Sequence, residues 1–251
     1  MDELELLVDL HLHNERQGPG SAEDTRRALA MTGLEPSTDL VVADIGCGTG
    51  ASAMVLAEEL RAPVRAIDNL PPFVEAANAR AHERGLGALV RAEVGQMEDL
   101  PLEPGSVDLL WSEGAIYNMG FTEGVRAWRD FLKPGGVIAV SDLTWTTSER
   151  PADVDAHWSA AYPGVATAAE KVRILEECGY APLGFFFLPE SSWEAYYGPI
   201  HAGLADFRAR HGASDAVEAI VAEEEKELRL FTERGTWFSY GFFVARRFDG
   251  V

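Results

Sequence analysis

Lysine is scarce: Lys133, Lys171 and Lys226 are the three in 251 residues, and the formal charge is −20. A surface this acidic repels phosphate backbones, so nucleic acid is not an expected partner. Cysteine is scarcer still, with Cys47 and Cys178 alone and no CxxC spacing. Two such residues cannot build a framework of bridges or a structural zinc site, which points to a reducing, cytoplasmic setting. No stretch approaches the roughly 20 apolar residues of a membrane span, and no membrane partner is expected. The first ten residues alternate acids with leucines and lack the basic start and apolar block of a secretion signal. Internal repeats and low-complexity tracts are absent too.

What is present is organised around residues 41–50, Val-Val-Ala-Asp-Ile-Gly-Cys-Gly-Thr-Gly. The apolar start reads as a strand, the glycines as a tight turn, and residues 51–60 as the helix that follows. Such a unit aims backbone N–H groups and a helix N-terminus at one small volume above the strand end. Glycine suits the turn because a Cβ would block a ligand or forbid the positive φ angles needed there. Further strands at 62–68, 89–94, 107–111 and 137–140 alternate with helices at 21–31, 71–84 and 121–132. That order predicts an α/β fold: a Rossmann-like, mostly parallel sheet with helices on both faces and right-handed crossovers.

The last third changes character. Residues 149–161 and 167–178 read as helices, and 183–188 and 237–246 as aromatic strands. Between these strands lies a helical insertion with a charged amphipathic helix near 217–232, read as a lid or substrate wall. The chain is thus expected to form one domain. Residues 1–20 would be a cover segment, 21–145 the cofactor-binding core, and 146–251 the substrate side with the closing strands. His11 and His13 have no neighbouring ligand in sequence, so no metal site is expected.

Gly46-x-Gly48-x-x-Ala51, with Asp68 at the end of the next strand, satisfies the dinucleotide fingerprint. An NAD-dependent oxidoreductase is therefore one alternative. Three features favour S-adenosylmethionine instead. Asp44, two residues before the first glycine, suits the ammonium of a methionine moiety and would repel a pyrophosphate. Gly50 lets the chain fold round a compact amino-acid tail. The turn at 95–101 can offer a backbone N–H and a side-chain acceptor to an adenine edge.

Taken in order, Asp44 to Gly50, Asp68, the 95–101 turn, Asp108 and Lys133-Pro-Gly-Gly136 resemble the motif series of class I S-adenosylmethionine-dependent methyltransferases. The resemblance covers roughly residues 20 to 145. It is nearest to small-molecule enzymes of the ubiquinone/menaquinone-biosynthesis and glycine/sarcosine type. It implies a seven-stranded sheet with the last strand antiparallel. It also implies Asp44, Gly46 and Gly48 around the methionine part, with Gly50 and the small side chain of Cys47 in the same turn. Asp68 would take the ribose hydroxyls, with Asn69 beside it. Met97 would pack on adenine, and Gln96 would replace the Asp often found there, accepting without charge assistance. Ser112 would border the methionine end.

The activated sulfonium leaves the protein chiefly to align an acceptor and exclude water. Glu113, Tyr117 and Asn118 are the candidates for orienting that acceptor. Asp142, Trp145, His157, Tyr162, Trp193, Tyr196 and Tyr197 are further side chains on the acceptor side. The expected reaction is methyl transfer to an N or O atom of a small molecule, leaving S-adenosylhomocysteine. A non-catalytic S-adenosylmethionine-binding protein is the second alternative, and a homodimer is the assembly considered.

Overall fold

The structure, a computed structural model, describes residues 2–250. The chain opens with α1 (Glu3–His11) and α2 (Ala22–Thr32), then β1 (Val42–Ile45), α3 (Ala51–Leu60), β2 (Val64–Asp68), α4 (Pro71–Glu83) and β3 (Val90–Val94). It continues through β4 (Val107–Glu113), α5 (Phe121–Trp128), β5 (Leu132–Trp145), α6 (Ala152–Ala161), β6 (Ala166–Thr167) and α7 (Ala168–Glu177). It closes with β7 (Tyr180–Phe187), α8 (Glu190–His211), α9 (Asp215–Arg234) and β8 (Phe238–Arg247).

Seven strands form the sheet in the order β3-β2-β1-β4-β5-β8-β7, parallel throughout except that β8 runs antiparallel to both its neighbours. The expected α/β architecture is therefore the one observed. An eighth strand, the two-residue β6, pairs with Thr144 and Trp145 at the end of β5. Two residues are too few to leave a period-two pattern in sequence.

Period-two alternation sorts the core. Val42, Leu109, Trp111, Val137, Ala139, Phe242 and Val244 face α2, α3 and α4. Their neighbours Ala43, Leu110, Ile138, Val140, Phe243 and Ala245 face α5 and α7. Local signals place the helices. Ser21 accepts from the Asp24 N–H at 3.1 Å to open α2, Gly33 closes it in the left-handed conformation, and Pro71-Pro72 start α4.

Two further clusters lie beyond the sheet. Leu6 and Leu10 of α1 pack on Ile200, Leu204 and Phe207 of α8 and on Val217, Ile220 and Val221 of α9. Trp158, Trp193, Tyr197 and Phe238 gather round the end of β5. The strong pattern near 217–232 expands to α9, while α8 has no counterpart among the expected helices. Gly198-Pro199 falls mid-way along it and reads as a break. Packing on α1 and α9 holds it helical. Among the described residues, no helix is long and apolar enough to cross a membrane.

Candidate active site

A cavity of about 610 Å³ opens over the ends of β1, β2 and β4. Its floor is the glycine turn, and steric demand explains its composition. Gly46 and Gly48 have φ of +67° and +53°. A Cβ on Gly46 would stand 2.3 Å from that of Ala115, and one on Gly48 2.3 Å from Gln17 Oε1. The Gly46 and Cys47 N–H groups donate to the Ile67 carbonyl at 2.8 and 3.1 Å, tying the turn to β2. Asp68 ties it again, accepting from the Gly48 N–H at 2.8 Å and the Leu70 N–H at 3.0 Å. Burial pushes the Asp68 carboxyl up, and these bonds oppose the shift.

Gly46, Cys47, Gly48, Asp68, Asn69, Gln96, Met97, Glu113, Tyr117 and Asn118 all line this cavity. Asp44, Gly50 and Ser112 do not. Asp44 is fully buried behind Ser52, a lining residue of the cavity whose hydroxyl donates to Asp44 Oδ2 at 2.6 Å. Its Oδ1 is buried without a partner, and burial pushes the carboxyl up to about 7 against the Ser52 bond. Gly50 is spent on the turn, as the left-handed N-cap of α3. Ser112 is buried and adjoins Glu113, and alternation along β4 turns it to the opposite face.

Glu113 on the wall is engaged through both carboxylate oxygens. Its Oε1 accepts from Thr25 Oγ1 at 2.7 Å and Trp111 Nε1 at 2.8 Å, and its Oε2 pairs with Arg16. Arg16 also donates to Thr25 Oγ1 at 2.9 Å. The carboxylate is therefore an anchor for the segment after α1. Two more clasps hold that segment. Gln17 Oε1 accepts from the Thr49 N–H at 2.9 Å, and Arg80 of α4 donates to the carbonyls of Leu12, Asn14 and Glu15. Arg16, Gln17, Gly18 and Pro19 consequently form a wall of the cavity. No motif or spacing advertises Arg16, Gln17 or Arg80, because each acts on residues distant in sequence.

Several acceptor-side candidates turn out to be packed among themselves. Tyr162 donates to Asp142 Oδ2 at 2.9 Å and accepts from the Phe121 N–H at 3.3 Å, while Asp142 pairs with Lys171, both fully buried. Lys171 also donates to the Leu143 carbonyl at 2.6 Å. Trp193 donates to Ser239 Oγ at 3.1 Å within the aromatic cluster at the end of β5. Tyr196 reaches the cavity and Tyr117 faces it, partly exposed.

Residues 42–136 match the family described as a methyltransferase domain. The chain is 36% identical over 133 residues to a ribosomal protein arginine N-methyltransferase of Schizosaccharomyces pombe, covering 48% of this chain and 24% of that one. It is 30% identical over 133 residues to the 27-O-demethylrifamycin SV methyltransferase of Amycolatopsis mediterranei, covering 53% and 48%. A S-adenosylmethionine-dependent methyltransferase of Geobacter sulfurreducens, solved with S-adenosyl-L-homocysteine, shares the fold at TM-score 0.84 and 18% identity, covering 96% and 97%. Residues 42–136 are thus a methyltransferase domain, and the chain shares the fold of S-adenosylmethionine-dependent methyltransferases. It spans between 24% and 66% of the length of the first curated relatives it matches.

Proposed function

We propose that the chain transfers a methyl group from S-adenosylmethionine to an N or O atom of a small molecule. The observation that carries this reading is the glycine-floored cavity with Asp68 on its rim and Asp44 beneath it. Bound there, S-adenosylmethionine supplies a sulfonium methyl already activated for in-line transfer. Gly46 and Gly48 let the backbone approach the ligand closely. Asp68 holds two hydroxyls, and Met97 with Gln96 flanks a flat base. Asp44 supplies negative charge behind Ser52 for a cationic amino group, an environment that disfavours the pyrophosphate of a dinucleotide.

Residues 1–20 act as the cover segment, held down by Arg16 on Glu113 and Gln17 on Thr49. Opening it admits the cofactor, and closing it keeps water from the reacting atoms. Residues 21–145 carry the cofactor and 146–251 the acceptor side. Tyr117 and Asn118 orient the acceptor by hydrogen bonds. Strong acid–base groups are unnecessary for a phenol or carboxylate acceptor, while an amine must arrive neutral.

Calorimetry with S-adenosylhomocysteine tests the cofactor, and mass-spectrometric screening of amines, phenols and carboxylic acids with labelled S-adenosylmethionine tests the transfer. The expected results are single-site binding, no heat with NAD, and labelled product from some compound. Absence of binding at millimolar S-adenosylhomocysteine sinks the proposal. Glu113→Ala is expected to weaken cofactor binding as well as turnover, since it frees the cover. A loss confined to turnover would instead make Glu113 an acceptor ligand.

A further inference from the structure

A second cluster lies outside the active-site cavity, between α6 and α9. Glu223 and Glu227 are one turn apart on α9 and share a face, which meets His157 of α6. One ligand atom from each of the three lies within 4.8 Å of the others. His157 Nε2 is buried and has no hydrogen-bond partner. Lys226 bonds Glu223 at 2.7 and 3.1 Å. Glu227 has a single hydrogen bond among the described residues, from the Tyr197 hydroxyl at 3.2 Å. Two carboxylates and an imidazole ring with an unpartnered, buried Nε2 thus converge, with one lysine on the outer carboxylate.

We propose that His157, Glu223 and Glu227 bind one divalent transition-metal ion that accepts mixed imidazole and carboxylate ligands, zinc being the probe. One nitrogen and two oxygen donors suit zinc, and water would complete its coordination. The ion takes the unpaired Nε2 lone pair and offsets the repulsion between the glutamates. It also fastens α6 to the helical insertion. Through the Tyr197–Glu227 bond it braces α8, which sends Tyr196 to the cavity. Three protein ligands leave a position open.

The test uses the full chain after chelator treatment, titrated with zinc chloride by calorimetry at neutral pH. One site is expected, with His157→Ala and Glu227→Gln each weakening it by about tenfold or more. His11→Ala is expected to leave it unchanged. Histidine side-chain resonances of the unsubstituted protein give a readout that survives a misfolded variant: zinc should perturb His157. No heat at millimolar zinc overturns the proposal, and so does binding that leaves the His157 resonances unmoved.

Discussion

Two aspartates on strands separated in the sheet by β4, Asp44 on β1 and Asp142 on β5, are both completely buried and differ in what answers their charge. Asp142 has a lysine of its own: Lys171 reaches in from α7, and Tyr162 adds a hydroxyl. Burial pushes the Asp142 carboxyl up and the Lys171 amine down, while their mutual attraction opposes both shifts. Asp44 has no ion pair among the described residues, only a hydrogen bond from the Ser52 hydroxyl and a pull from Arg16 countered by Glu113, and its carboxyl rises to about 7. A buried carboxylate with an internal cation joins two elements of the fold. One without, set under a ligand cavity, is destabilising in the free protein and suits a cation brought from outside.

The comparison breaks if both aspartates respond alike. The largest expected effect is at β5. Lys171→Met strands Asp142 and should cost about 3–5 kcal/mol in urea unfolding, with much of it restored by adding Asp142→Asn. Asp44→Asn should do the reverse and stabilise. A carboxyl raised from 3.8 to about 7 lets the fold keep full stability below the unfolded value and lose it as pH climbs through 7. Unfolding at pH 8 should show a gain of up to about 4 kcal/mol for Asp44→Asn, absent near pH 3. Equal stability of the variant and parent at pH 8 would mean that Asp44 is ionised at little cost.

The smallest effect sharpens the contrast in binding. If a cationic amino group settles near Asp44, its carboxyl ionises. Binding of S-adenosylhomocysteine at pH 6 should then release close to one proton, measured by calorimetry in buffers of different ionisation enthalpy. Asp44→Asn should abolish the release, and Asp142→Asn should leave it intact.

The fold was largely readable because its signals are local. Glycines at 46 and 48, Pro71-Pro72 and the apolar runs at 137–140 and 242–245 each act on near neighbours. The cavity's backbone side was legible for the same reason, through Asp68 and the turn at 96–97. The rest depends on meetings across the sequence. Glu113 reads as a free carboxylate until Arg16, ninety-seven positions away, is folded onto it. Lys171 sits in a charged helix and gives no hint of burial. Asp44 carries the right charge at the right strand end, yet its place behind Ser52 follows from how α3 docks. The long helix α8 was hidden by Gly198-Pro199, whose local preference is overridden by α1 and α9.

The position of β8 has a consequence for how the chain comes together during synthesis. It lies between β5 and β7, bonded to both along most of its length, yet follows α8 and α9 in sequence. β3, β2, β1, β4 and β5 can assemble as soon as they emerge, whereas β7 has no place in the sheet until β8 arrives. Until then β5 presents an open edge rich in Val, Ile and Ala, the kind of edge that recruits stray strands. The molecule therefore matures from one side of the sheet to the other, the side from β3 to β5 first and the β8–β7 side last. Pulsed hydrogen exchange should find β1 and β2 protected before β7, and simultaneous protection would refute that order.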